Sequence, residues 1–155
     1  IFQERLPGLL TQSDEFTIDE AAERAFLQRH RDSDADAAFL ATTLAGEPIG
    51  FLNGTVTPRK LLRHTWSLGI SIAKPWRSRG IGRALMHAAI DYVRAHPALD
   101  KIALAVFADN APALALYRSL GFLEEGRRVK HIRREDEHGG VEYVDNLLMY
   151  RWLGR

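Results

Sequence analysis

The chain has no cysteine. Disulfides, thiolate-bound zinc and a cysteine nucleophile are therefore excluded, and any acyl transfer must proceed without a cysteine-linked intermediate. It also lacks an apolar run near the ~18 residues that span a bilayer, and its start does not show the basic-then-apolar order of a leader, so a cytoplasmic location and no membrane partner are expected. Net charge is small: 21 Lys and Arg against 20 Asp and Glu give +1. That balance argues against a nucleic-acid binder whose affinity comes from neutralising many phosphates. The six histidines form no HExxH or other close pair, so no metal is expected.

What remains is ordinary globular composition, 46% apolar and 26% charged over 155 residues. A chain of that size buries roughly 70% of its unfolded surface, enough for one core. Without repeats, low-complexity tracts or a composition break, residues 1–155 read as a single domain. Basic residues are clustered locally. Arg77, Arg79 and Arg83 form one group, and Arg127, Arg128, Lys130, Arg133 and Arg134 another, followed by Glu135, Asp136 and Glu137; the second group suits a solvated strand and turn.

Hydrophobic spacing orders the elements. Thr17 and Glu20 form a capping-box pattern ahead of Ile18, Ala21, Ala22, Ala25 and Phe26, which predicts an amphipathic helix ending near Arg31. Strands are predicted over 38–44 and 49–56, joined through Ala45, Gly46, Glu47 and Pro48. A third, over 64–72, alternates Trp66, Leu68, Ile70 and Ile72 with smaller or polar neighbours and stops at Lys74 and Pro75. Ile81, Leu85, Ala88, Ala89 and Tyr92 then make one face of a helix that Pro97 terminates. Residues 101–107 are apolar on both faces, the pattern of a central strand covered on each side. Asp109 or Asn110 caps a further helix with inner face Ala113, Leu116, Tyr117 and Leu120 and with Gly121 at its left-handed end. A hairpin of strands 122–132 and 141–153, turning at Gly139 and Gly140, closes the chain. The order describes an α/β fold with a mixed, mostly antiparallel twisted sheet flanked by helices.

The most informative stretch, Arg77-Ser78-Arg79-Gly80-Ile81-Gly82-Arg83, lies between a strand and a helix. Backbone N–H groups at a helix start bind phosphate oxygens, and nearby arginines add charge. A glycine pair at such a turn also serves geometry alone. Neither a Walker loop nor a GxGxxG fingerprint is present. The pattern resembles the coenzyme A signature of the GNAT superfamily of N-acyltransferases, R/Q-x-x-G-x-G/A, matched by Arg77, Gly80 and Gly82. A second block resembles that family too: Asn110, then Tyr117 seven residues on, then Gly121-Phe122. The ending from Glu142 to Met149 is similar to the closing strand of many members, so the resemblance covers about residues 38–153.

The resemblance implies a V-shaped splay beside the strand that precedes the glycine turn, with the pantetheine arm of acetyl-CoA lying along the backbone of Ile70, Ser71 and Ile72. An N–H there would stabilise the oxyanion, and Arg79, Gly80, Ile81, Gly82 and Arg83 would hold the pyrophosphate. It implies that Asn110 bonds the pantetheine, although a helix cap is its plain alternative. Tyr117 would be the general acid for the departing thiolate, against the alternative of a packed aromatic. It also implies a strand ahead of the first helix, and none is legible after Ile1.

The base is not evident. Where some members carry a glutamate, five residues before the Asn, this chain has Ala105. His64 at a strand start is a candidate, with Asp145, Glu142 and a relayed water as alternatives. An acceptor amine is mostly protonated at neutral pH, its pKa near 10.4, so its proton must go somewhere. The expected reaction is direct acetyl transfer in a ternary complex to a primary amine of a small molecule or amino acid. A protein N-terminus or lysine as acceptor, a non-catalytic acyl-CoA sensor and an ATP- or NAD-binding module are the alternatives, and a homodimer is possible by family habit.

Overall fold

The computed structural model describes residues 19–21, 24, 25, 28, 33–135 and 138–154. Of the expected opening helix, Glu20, Ala21, Arg24, Ala25 and Gln28 are helical. Asp19 Oδ1 accepts the Ala21 N–H at 2.9 Å. Thr17, Ile18, Ala22, Phe26 and the helix end near Arg31 lie outside the described residues, as does any earlier strand. Ala21 and Ala25, expected to face inward, are exposed, because no described strand or helix covers them.

Strands β1 (Ala37–Thr42) and β2 (Pro48–Val56) form the first hairpin. β1 ends two residues before the expected Leu44, which is fully exposed in the turn. The reason is local. Thr43 accepts the Gly46 N–H on its carbonyl at 2.9 Å and the Glu47 N–H on its hydroxyl at 3.1 Å, so the turn closes at Thr43. β3 (Thr65–Ile72) pairs antiparallel with β2. Helix α1 (Ile81–Ala95) follows, then β4 (Lys101–Phe107), helix α2 (Ala111–Ser119), β5 (Leu123–Glu135) and β6 (Val141–Trp152). Among the described residues the six strands lie in the order β1-β2-β3-β4-β6-β5, and β3 with β4 is the one parallel pair.

One face of this sheet makes the core. Leu52, Trp66, Leu68, Ile102, Leu104, Val106, Leu147 and Met149 pack with Leu85, Met86, Ala89, Ile90 and Val93 of α1 and Leu114 and Tyr117 of α2. The α1 face is therefore rotated from the expected one: Met86, Ile90 and Val93 are buried, whereas Ala88 and Tyr92 are only half-buried at its margin. Among the described residues α1 and α2 both lie on that face, and the other face of β4 is covered only at its end, where Phe107 is 5% exposed. Ala103 is half-buried and Ala105 exposed on the open face.

β5 runs three residues past the expected Ile132 and contains bulges between Glu124 and Gly126 and between Arg128 and Ile132. The second bulge surrounds Asp145, whose Oδ1 accepts the Lys130 N–H at 2.7 Å and whose Oδ2 accepts from Arg127 at 3.1 Å. A strand with an inserted residue bends and twists more strongly, which sequence alternation does not reveal.

Trp66 packs directly over Gly54. Trp66 is fully buried, donates its indole N–H to the Ala35 carbonyl at 2.9 Å and stacks at 5.7 Å against Tyr92. A Cβ on Gly54 would stand 2.1 Å from the indole Cζ2. The indole fills the space a side chain would need. Gly54→Ala should therefore cost about 3 kcal/mol, the upper part of the usual overpacking range; urea titration should show a lower midpoint with an unchanged slope.

Candidate active site

β3 and β4 are bonded over only three pairs, Thr65 with Lys101, Trp66 with Ile102 and Ser67 with Ala103. Beyond them the strands part. Residues 68–72 of β3 are paired to β2 on one edge and have no β4 partner on the other, while residues 104–107 of β4 pair only with β6. This is the expected splay, with Ile70, Ser71 and Ile72 along its free edge, all half-buried. An unpaired inner strand edge offers N–H and C=O groups to an extended ligand.

The open end of the splay leads into the glycine turn. Gly80 is the N-cap of α1 with φ +83°, and Ser78 also has a left-handed φ of +58°. Two left-handed residues in three curl the backbone so that successive N–H groups converge, the geometry of an anion nest. No side chain caps α1. Its first described main-chain bond is from Ala84 to the Gly80 carbonyl at 3.0 Å, which leaves the N–H groups of Ile81, Gly82 and Arg83 open toward the turn.

The two glycines have different roles. A Cβ on Gly80 would meet nothing within 4 Å, so its left-handed backbone is what requires glycine. A Cβ on Gly82 would lie 3.3 Å from Leu116 Cδ2, so Gly82 lets α1 approach α2. The arginines are also committed in part. Arg77 Nε donates to the Ile72 carbonyl at 3.0 Å, Arg79 lies 5.1 Å over the Trp76 ring, and Arg83 donates to Ser119 Oγ at 3.0 Å. Arg83 and Gly82 thus tie the turn to the helix that carries Tyr117.

Tyr117 is 6% exposed and rests against Phe122, ring centres 5.9 Å apart. Burial pushes its phenol up to about 12, so it keeps its proton throughout the neutral range. No hydrogen-bond partner for that hydroxyl occurs among the described residues. The helix around it is sharply ended: Phe122 N–H bonds the Tyr117 carbonyl and Gly121 N–H the Arg118 carbonyl, each at 3.0 Å, with Gly121 at φ +80°. At the other end Asn110, not Asp109, is the cap, its Oδ1 accepting the Ala113 N–H at 3.3 Å. The Asn110 NH2 remains available. Asp109 instead bonds Arg134, at 3.2 Å for one of the two contacts, and that guanidinium holds its carboxyl below the usual range.

The candidate bases are scattered. His64 precedes β3 at the closed end of the splay; its ring is 6.3 Å from Trp152 and its carbonyl accepts the Asp100 and Lys101 N–H groups. Asp145 is held below the usual carboxylate range by the Lys130 N–H and then by Arg127, which makes it a poor proton acceptor. Glu142 is exposed on the hairpin, paired in register with Arg134. Among the described residues no group of three or more His, Asp or Glu could hold a metal ion. No described helix is long and apolar enough to cross a membrane.

One residue was missed. Asn146 of β6 is 2% exposed, and its Oδ1 has no hydrogen-bond partner among the described residues. Leaving a buried acceptor unsatisfied costs about 1–3 kcal/mol, so such an atom calls for an explanation. The available signal was a polar residue inside an otherwise apolar alternation, Val144, Asn146, Leu148. Its register puts it beside Phe107 on β4 and Arg128 on β5, one rung from the Leu148–Ala105 pair, on the open face. Phe107 is itself covered by Arg134 at 4.9 Å. A cleft of about 330 Å³ lies further out, among Arg134, Glu135, Gly140, Val141 and Glu142 at the hairpin tip. It is away from the splay, and its lining carries no reactive pair.

A mixed sheet that splays between β3 and β4, with a glycine turn at the mouth of the V, defines an α/β fold of a recognisable family. The profile of the acetyltransferase (GNAT) family matches residues 7–122, and the chain belongs to that family. It is 35% identical over 112 residues to the L-amino acid N-acetyltransferase AaaT of Escherichia coli K12, a match covering 72% of this chain and 66% of that protein, just under two thirds of its length. Its fold is similar to the crystal structure of a GNAT acetyltransferase from Streptococcus pneumoniae, with TM-score 0.86 and 28% identity over 95% of this chain and 84% of that one. A Sinorhizobium meliloti GNAT superfamily phosphinothricin acetyltransferase, solved in complex with AcCoA, shares the fold at TM-score 0.78 and 22% identity, over 90% of this chain and 72% of that one.

The raised phenol of Tyr117 has a consequence for stability. Below pH 10 the phenol is protonated whether the chain is folded or not. As pH rises from 10 to about 12 the unfolded phenol ionises and the folded one does not, so stability is lost across that window. Comparing urea unfolding at pH 9 and pH 11, the wild type should lose about 1 kcal/mol more than Tyr117→Phe.

Proposed function

We propose that the chain is an acetyl-CoA-dependent N-acetyltransferase acting on a primary amine of a small molecule or amino acid by direct transfer in a ternary complex. The observation that carries this reading is the parting of β3 from β4 after Ser67, with the open N–H groups of the α1 start at its mouth. The residues present fit the group: a free strand edge suits the amide-bearing pantetheine arm, and the nest at Ser78 and Gly80 suits a pyrophosphate.

Bound there, acetyl-CoA supplies an activated acyl group whose C–S bond breaks as the C–N bond to the amine forms. The free edge at Ile70, Ser71 and Ile72 provides backbone N–H groups to the carbonyl oxygen as charge develops on it. Arg79 and the N–H groups from Gly80 to Arg83 hold the phosphates, and the Asn110 NH2 bonds the arm. Tyr117 holds its proton at neutral pH and donates a hydrogen bond to the departing sulfur. A thiol ionises near 8.5, so complete transfer from a phenol at about 12 is uphill and solvent supplies the final proton. The amine's own proton leaves through water, toward His64 at the closed end.

The absence of cysteine supports a ternary complex over a covalent relay. AaaT, by its name an L-amino acid N-acetyltransferase, supports an amino acid acceptor. A second reading, acyl-CoA binding without turnover, is favoured by the exposed Ala105, which puts no carboxylate on the open face of β4.

Thiol release from acetyl-CoA separates the two, and the protein adds no thiol of its own. Amine-dependent release with intersecting initial-rate lines is expected. Tyr117→Phe should lower kcat about 100-fold or more with little change in acetyl-CoA affinity. Binding without release for any amine would support the sensor. With the amine reacting as its free base, kcat/KM should rise about tenfold per pH unit toward the pKa of the acceptor amine and shift with that pKa across acceptors. A bend in that profile that disappears in His64→Gln would assign the proton to His64.

A further inference from the structure

We propose that Asn146 and Arg128 form the acceptor subsite, in which Asn146 Oδ1 takes an N–H of the incoming amine and Arg128 takes a carboxylate on the adjoining carbon, so that the acceptor is a 2-amino carboxylate. The inference deepens the transferase reading above and rests on it.

The first support is the unsatisfied oxygen. An amide oxygen buried without a donor is a place prepared for one. A primary amine brings an N–H, and giving it to Oδ1 aims the nitrogen lone pair away from the strand, toward the splay. An amide oxygen does not remove the proton, so Asn146 orients the amine and is not a base.

The second support is position. Asn146 and Arg128 are directly opposite on β6 and β5, and opposed residues on one face have Cβ atoms roughly 4.5–5.5 Å apart. Leu148 and Ala105, the next rung, carry this face toward the parting of β3 and β4. Ala105 leaves the ground between Asn146 and the splay open.

The third support is charge. Arg127 is bound to Asp145 and Arg134 to Asp109, on either side of Arg128 along the strand. The exposed Arg128 has no ion-pair partner among the described residues. A guanidinium fork matches a carboxylate with two parallel hydrogen bonds. An amine-binding oxygen beside a carboxylate-binding fork selects acceptors that carry both groups together.

Initial rates should be measured with free amino acids, their amides and the corresponding decarboxylated amines. Asn146→Ala should raise the amino acid KM about tenfold or more while the acetyl-CoA Kd stays within about twofold. Arg128→Gln should raise KM for free amino acids and leave amides unchanged. A purely structural Asn146 predicts a raised melting temperature on removal of the orphan oxygen with no change in KM, and that result would overturn the proposal. Asn146→Ser, which keeps an acceptor oxygen, should recover part of the lost affinity. Wild-type preference for amides over acids would also overturn it. If no acceptor releases thiol, the transferase reading fails by itself; calorimetric titration of amino acids into CoA-saturated protein then decides the subsite. Binding lost in Asn146→Ala and Arg128→Gln supports it, and no binding to wild type sinks it.

Discussion

The structure depends on Trp66 seated over Gly54. Trp66 is the middle residue of the three that bond β3 to β4, so the indole stands at the closed end of the V. It holds β2 through Gly54, α1 through Tyr92 and the approach to β1 through the Ala35 carbonyl. Burying a large apolar side chain contributes about 1.5–3 kcal/mol. Here the buried indole lies within the three-residue stretch over which the strands pair. A V needs a hinge that does not slip, and a fully buried aromatic with no room beside it supplies one.

From that hinge the two arms diverge for different purposes. β3 remains bonded to β2 and presents a free edge; β4 remains bonded to β6 and presents an open face. Among the described residues α1 and α2 both pack on the other side, and Tyr117 belongs to that packing. Gly82 and Arg83 then lock the glycine turn to α2, the helix that carries Tyr117. Burial that raises the Tyr117 phenol also keeps it a donor. One packing event thus sets both the position and the proton state of that side chain.

The elements from β2 to α2 were legible because each carries a period and a stop. Pro97 ends α1, Gly121 ends α2, and Trp66 to Ile72 alternate as a half-buried strand should. Leu44 was misplaced because the Thr43 hydroxyl closes the hairpin early, a side-chain bond that alternation does not encode. The bulges of β5 were hidden for a similar reason, since they follow from Asp145 on the neighbouring strand. Apolar residues on both faces of β4 suggested cover on both sides, yet cover depends on where helices dock. At the site, Arg77, Gly80, Gly82, Asn110 and Tyr117 stood out through the resemblance of two sequence blocks to the family. Asn146 did not, because a single asparagine in a strand reads as an ordinary polar residue until its burial and its missing partner are seen.

The sequence by itself determined the order of strands and helices, the family and the lack of a cysteine nucleophile, because periodicity, glycine and proline placement and residue inventory are local properties. Tertiary structure decided the rest. Only the sheet register shows that β3 and β4 pair for three residues and then part. Only packing shows that Gly82 serves helix contact while Gly80 serves the turn. Only the fold brings Asn146 and Arg128, 18 positions apart in the chain, onto one face beside Ala105, since strand pairing joins residues by register and not by sequence distance.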